Sequence, residues 1–137
     1  MKKTTAPLPR VLVVEDDPVL ARALSINLHK QLGLEVALAE DARRAIEIIE
    51  TQRVDVVCLD LMLPEVSGFG VFEHLRRSPR LRNVPVVVMS GRALPEDRAR
   101  ALELGARWYL VKPFPFSALR AKVAALLPTN DSSEAVG

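Results

Sequence analysis

Cysteine is nearly missing from this 137-residue chain, which holds one, Cys58. That excludes an intrachain disulfide and a cysteine-rich zinc site, and within its apolar run Cys58 reads as a small buried hydrophobe. Long hydrophobic stretches are missing too. None approaches the roughly 20 apolar residues of a membrane span, and Met1-Lys2-Lys3 leads into Thr4-Thr5-Ala6-Pro7 rather than a signal-peptide core. A cytoplasmic location and no membrane partner are therefore expected. Nor is there an excess of charge of one sign, because 19 Lys+Arg face 17 Asp+Glu for a net charge of +2. So balanced a chain gives no reason to expect direct nucleic-acid binding. Its densest basic stretch, Arg76-Arg77-Ser78-Pro79-Arg80-Leu81-Arg82, has no aromatic residues interleaved and reads as a solvated helix end. Internal repeats and low-complexity segments are also lacking.

What the chain does have is alternation. Its length and its 49% hydrophobic content suit one compact domain with a core, and short β-branched runs alternate with segments of helical period. Five such pairs predict a single α/β domain: a doubly wound (βα)5 unit with a five-stranded parallel sheet and helices on both faces. Strands are expected at about 10–14, 35–39, 54–59, 84–89 and 108–111. Between them, apolar residues three and four apart mark the sheet-facing stripes: Leu20, Leu24, Leu28; Ala42, Ala45, Ile46, Ile49; Phe72, Leu75; Ala99, Leu102, Ala106; and Phe116, Leu119, Val123, Leu126. Helix starts are signalled by Asp17-Pro18, Asp41, Ser67 and Pro95-Glu96-Asp97, and helix ends by Gly33 and Gly105. Residues 1–9 and 128–137 lack periodicity and are expected to be mobile ends of a domain spanning 10–127.

The charged residues fall where such a sheet builds its sites, at the carboxyl ends of strands. Val11-Leu12-Val13-Val14 closes on Glu15-Asp16-Asp17, Val54-Asp55-Val56-Val57-Cys58-Leu59 on Asp60, and Tyr109-Leu110-Val111 on Lys112. Carboxylates gathered within about 4 Å repel by several kcal/mol per pair at an effective dielectric near 20, so they need a cation or protons. Oxygen ligands without histidine or cysteine suit Mg²⁺ better than zinc or copper, and Mg²⁺ with open positions commonly takes phosphate oxygens. A carboxylate can attack phosphorus to give an aspartyl phosphate when a metal and a lysine offset the charge on the phosphoryl oxygens. Ser90, at the end of Val86-Val87-Val88-Met89, supplies a hydroxyl at the matching place, and Gly91 leaves room for backbone approach. A metal-dependent phosphatase or transferase with an aspartyl nucleophile would share these acids, but would need a substrate cap or acid/base that so short a chain lacks. Asp17, directly before Pro18, reads as a helix cap rather than a ligand. His29 and His74 stand on helices without a partnering motif and read as surface or groove residues.

In these pieces the chain resembles the receiver domain of two-component response regulators, of the flavodoxin-like chemotaxis-regulator type, over roughly residues 9–127. The resemblance rests on Glu15-Asp16, on Asp60-Leu61-Met62-Leu63-Pro64 with Gly68 following, on Met89-Ser90-Gly91 and on Tyr109-Leu110-Val111-Lys112-Pro113-Phe114, all in order. It implies that Asp60 receives phosphate from a phosphohistidine on a histidine kinase or phosphotransfer protein. It further implies that Asp16 binds Mg²⁺ directly, Glu15 largely through water, and the Met62 main-chain carbonyl as a further ligand. Ser90 and Lys112 would hold the phosphoryl oxygens, the Lys112–Pro113 peptide would be cis, and Tyr109 would be the switch aromatic. Such a chain is a phosphoacceptor switch, not an enzyme, promoting only its own phosphorylation and dephosphorylation. A degenerate receiver working only as a binding module would lack some of the acids, and none is missing. The resemblance leaves open a stand-alone regulator, a phosphorelay carrier, or a receiver fragment of a larger regulator or hybrid kinase; no effector segment is visible after residue 127.

Two departures from the family pattern carry further expectations. Met62 and Arg92, which would flank the path of hydrolytic water, offer no carboxylate or amide, so slow dephosphorylation is expected. On the face of the fourth helix, fifth strand and fifth helix, Ala106-Arg107-Trp108 and Ser117-Ala118-Leu119 replace the acids that dimerising receivers carry, while the basic Arg98, Arg100 and Lys122 remain and Arg107 is added to them. Like charges would then oppose self-association, so a monomer is expected that controls an acidic or apolar downstream partner by hetero-association, with Trp108 as an anchor if it is exposed.

Overall fold

The computed structural model describes residues 7–128. Its elements alternate throughout: β1 (Arg10–Val14), α1 (Pro18–Leu32), β2 (Glu35–Ala39), α2 (Ala42–Thr51), β3 (Val56–Asp60), α3 (Gly68–Arg77), β4 (Val86–Ser90), α4 (Pro95–Glu103), β5 (Trp108–Val111) and α5 (Phe116–Leu126). The five strands form one parallel sheet in the order β2-β1-β3-β4-β5, so the winding reverses between β1 and β3. This is the doubly wound fold that the alternation predicts.

The sheet has no solvated face at its centre. Every residue of β3 and β4 is buried, and successive side chains go to opposite sides. Leu12, Val14, Val57, Leu59, Val86 and Val88 pack with the buried residues of α2, α3 and α4. Val11, Val13, Val56, Cys58, Val87 and Met89 pack with those of α1 and α5. The helix starts follow local chemistry. Asp17 caps α1 by accepting from Val19 N–H at 3.0 Å, Asp41 caps α2 by accepting from Arg44 N–H at 2.8 Å, and Ser67 caps α3 by accepting from Phe69 N–H at 3.0 Å. Gly33 ends α1 at φ 64°, the left-handed region that favours glycine. Gly68 is demanded by proximity: a Cβ there would lie 2.2 Å from the Asp60 carbonyl oxygen, so only glycine lets α3 begin against the end of β3.

Several expectations are corrected. The ladders of β3 and β4 begin at Val56 and Val86, two residues later than expected, and run on to include Asp60 and Ser90. Before β3, Asp55 is engaged with β1 instead: its N–H donates to Arg10 O and its carboxylate accepts from Arg10 N–H. Before β4, Val84 closes a turn onto Leu81 and Pro85 has no N–H to give. In α4 the stripe is displaced, with Ala101 buried and Leu102 73% exposed. Arg76 is no solvated helix end: its guanidinium donates to Leu104 O at 2.6 Å and Val84 O at 2.9 Å and lies over the Phe72 ring. Burial holds its pKa below the usual arginine value. Arg80 donates to Glu50, which also pairs with His74 at 2.7 Å.

Residues 8 and 9, placed in the expected mobile N-terminal segment, are tied to the sheet, since Arg53 donates to Leu8 O and Glu35 N–H donates to Pro9 O. Residues 1–6 and 129–137 of the expected terminal segments lie outside the described residues. Among the described residues no helix is long and apolar enough to cross a membrane.

Candidate functional site

Strand register brings the charged residues together. Val14 pairs with Leu59, Asp60 with Met89, and Ser90 with Val111, so the residues at or just beyond these positions share the carboxyl edge of the sheet. Asp60, 3% exposed, is the centre of the arrangement. One carboxylate oxygen accepts from Met62 N–H at 2.8 Å and the other from Lys112 Nζ at 2.8 Å. Lys112 Nζ also donates to Glu15 at 2.7 Å, and the second Glu15 oxygen accepts from Asp17 N–H at 3.1 Å. The Lys112–Pro113 peptide is cis.

The charges do not balance inside this cluster. Carboxylate oxygens of Glu15, Asp16 and Asp60 lie within 4.8 Å of one another, against the single Lys112 ammonium. Burial is the main cause that raises the Glu15 pKa above the ordinary carboxyl value; the Lys112 and Asp17 hydrogen bonds oppose it and the Asp60 charge adds to it. Burial pulls the Lys112 pKa down, yet the hydrogen bonds and charges of Asp60 and Glu15 together carry it above the ordinary lysine value. Three acids, two of them buried and one exposed, all offer hard oxygen donors and leave negative charge uncompensated. Such a donor set fits a hard divalent cation, which would offset charge that one lysine cannot.

Asp17 lies outside the three-acid cluster and serves α1 as its cap. Met62 is exposed beside the site, and its N–H holds Asp60. Ser90 is fully buried, and its Oγ accepts from Arg92 N–H at 3.1 Å, which leaves the hydroxyl proton for another acceptor. A Cβ on Gly91 would meet nothing within 4 Å, so protein packing does not demand glycine there.

The Glu15–Lys112 pair joins residues 97 positions apart, at the strand ends where the sequence places its charges. One relationship was not readable from the sequence. Arg92 is a junction: besides holding Ser90, its carbonyl accepts from Tyr109 Oη at 2.9 Å and its guanidinium pairs with Asp97 of α4 at 2.9 Å. Tyr109 is half-buried, with the Arg98 guanidinium 4.7 Å from its ring centroid. Trp108 is half-buried rather than open, with Arg107 and Lys122 over its ring. Arg100, counted on the same face, turns to α3 instead, pairing with Glu73 and lying over Phe69.

Fold and site together define an open parallel α/β domain with an acid-and-lysine centre at its topological switch point, the class of domain that handles phosphoryl groups at strand ends. The sequence profile of the response regulator receiver domain matches residues 11–124, and the chain belongs to that family. Among curated relatives, the DNA-binding dual master transcriptional regulator RpaA of Synechocystis is 36% identical over 124 residues, which cover 90% of this chain and 51% of that protein. The phosphate regulon regulator PhoB of Escherichia coli is 37% identical over 118 residues, covering 86% and 51%. The chain thus spans about half the length of these relatives. Among solved structures, the receiver domain of a Pseudomonas aeruginosa sensor histidine kinase, with a magnesium ion coordinated in its active site cleft, is 30% identical at a TM-score of 0.75, covering 88% of this chain and 98% of that one.

Proposed function

We propose that this chain is a phosphorylation switch in which Asp60 accepts a phosphoryl group from the phosphohistidine of a histidine kinase or phosphotransfer protein. The observation that carries it is the setting of Asp60: a nearly buried carboxylate at a strand end, held on one oxygen by the Met62 N–H and on the other by Lys112, beside two further acids. An Asp60 oxygen forms the new O–P bond as the donor's N–P bond breaks, and the electron pair leaves with the imidazole. Lys112 follows the charge onto a phosphoryl oxygen, and Ser90 turns its free hydroxyl proton toward another. Glu15, Asp16, Asp60 and the Met62 carbonyl would hold Mg²⁺, which when bound supplies positive charge against both the acids and the phosphoryl oxygens. The magnesium in the cleft of the Pseudomonas relative supports that assignment.

Movement of Ser90 toward the phosphoryl group withdraws its Oγ from Arg92 N–H and loosens the junction that also holds Tyr109 and Asp97. The surface of α4, β5 and α5 then shifts between two populations, to control a downstream protein. In this reading the chain works in the cytoplasm as a switch and turns over no external substrate. A second reading, a phosphorelay carrier or the receiver part of a larger regulator or hybrid kinase, is favoured by the half-length match to the curated regulators.

The deciding experiment is labelling with radioactive acetyl phosphate. Wild type should take up base-labile label, and Asp60→Asn should take up none while keeping its far-ultraviolet circular dichroism. Undiminished labelling of the variant would remove Asp60 from the role.

A further inference from the structure

Arg92 stands in the loop between β4 and α4 and is bonded to three elements at once. Its N–H holds the Ser90 Oγ of β4, its carbonyl accepts from Tyr109 Oη of β5, and its guanidinium pairs with Asp97 in the first turn of α4. That helix is fastened unevenly. At its carboxyl end Arg76 donates to Leu104 O, Ala106 N–H donates to Ala101 O, and Arg100 ties the helix to Glu73 of α3. At its amino end the N-cap residue is Leu94, which makes no side-chain capping bond. Among the described residues Arg92 is the sole cation paired with Asp97, and the acid's side chain is 13% exposed against 50% for the arginine. A largely buried carboxylate at a weakly held helix start thus depends on one long, half-open cation.

We propose that Arg92 is a second phosphoryl-binding cation beside Lys112, withheld by Asp97 until the phosphoryl group arrives. The Arg92 main chain is one hydrogen bond from the hydroxyl that the switch reading turns toward that group, so a side chain as long as arginine's spans the remaining gap. A phosphoryl group brings up to about two negative charges and three acceptor oxygens. Asp97 offers one charge and two oxygens, and the guanidinium fork fits either anion, so the richer one draws it away. On both anions the guanidinium only donates, so it orients no water for attack. Its departure leaves Asp97 without a cation at the uncapped start of α4. The helix then yields at its amino end, about a carboxyl end that Arg76 and Arg100 keep pinned. The exchange deepens the switch reading and rests on it, since it needs a phosphoryl group on Asp60.

The test is a double-mutant cycle on the initial rate of labelling from acetyl phosphate in Mg²⁺. Asp97→Asn releases the guanidinium and should label about threefold faster. Arg92→Gln should label about fivefold slower, and Arg92→Lys should recover part of that loss. The double variant should match Arg92→Gln, because without the guanidinium Asp97 has nothing to withhold. A rate indifferent to Asp97→Asn, or a threefold gain that persists in the double variant, would overturn the exchange. Hydrogen exchange reads the helix. The amides of Arg98 and Ala99 should exchange faster in Asp97→Asn and in phosphorylated wild type, while those of Glu103 and Leu104 stay as they are. Faster exchange along the whole of α4 would overturn the proposal, since Asp97 would then be a structural support and no more. The two readings fail differently: a wild type that takes no label sinks the switch, whereas a labelled wild type whose variants share its rate sinks the exchange alone.

Discussion

The ammonium of Lys112 lies 2.8 Å from the Asp60 carboxylate across 52 positions of chain, and the same nitrogen lies 2.7 Å from Glu15. One cation therefore restrains two buried acids, and removing it leaves both exposed to each other's field. Lys112→Met should cost about 3 kcal/mol of stability in EDTA, the low end for a broken buried pair because the lysine is partly open to water. The initial rate of labelling from acetyl phosphate should fall by about tenfold or more. Urea titration measures the first and the label time course the second; an unchanged midpoint would mean that the lysine carries no charge balance.

Metal addition should stabilise the fold by linkage. A cation at one hundred times its Kd adds about 2.7 kcal/mol, so the melting temperature should climb with Mg²⁺ and fall back with EDTA. Asp16→Asn should blunt that climb more than Asp17→Asn, because Asp16 lies in the three-acid cluster while Asp17 caps α1. Equal blunting would move Asp17 into the ligand set.

Acid should uncouple α2 from α3 at Glu50. The His74 hydrogen bond, foremost among the causes, holds the Glu50 pKa below the ordinary 4.5. A depressed carboxyl pKa contributes stability that is complete above 4.5 and is lost as pH falls through the lower folded value. Glu50→Gln should therefore melt slightly below wild type near neutrality, and the gap should close as the pH is taken below 4.5. A gap that widens with acid would contradict the sign. The pair is exposed, so the effect is small.

Phosphate lifetime tests the surroundings of Asp60. The Met62 side chain is exposed beside the site, and Arg92 is occupied with Asp97, so neither orients a water for attack. Met62→Asn should shorten the half-life of the phosphorylated chain several-fold, as followed by loss of label after donor removal. An unchanged half-life would place control elsewhere.

Local chemistry made much of this molecule legible. The β-branched runs that end on Asp60, Lys112 and Glu15 mark parallel strands by composition, and Asp17-Pro18, Asp41 and Ser67 announce helix starts through side chains that cap nearby N–H groups. What stayed hidden depends on partners that leave no mark in sequence. Arg76 donates to the carbonyls of Val84 and Leu104, and a carbonyl looks the same at every residue. The displaced stripe of α4 has a similar cause. Leu102 is more apolar than Ala101 but points outward, because the small residue is the one that fits against the sheet. Arg100 looked like part of the α4–β5 face until its partner Glu73 placed it on the other side of the helix.

Cys58 gives the chain a clock. The thiol sits fully buried in the middle of β3, between β1 and β4, and burial pushes its pKa to about 12. No alkylating reagent can reach it while the central strand stays in the sheet, and there is no second thiol to confuse the count. The rate of Cys58 modification thus measures how often the domain opens through its centre. Mg²⁺ should slow that rate by the factor 1 + [Mg²⁺]/Kd through which it favours the closed domain, so one mass-spectrometric time course reads ligand occupancy without any label on the site.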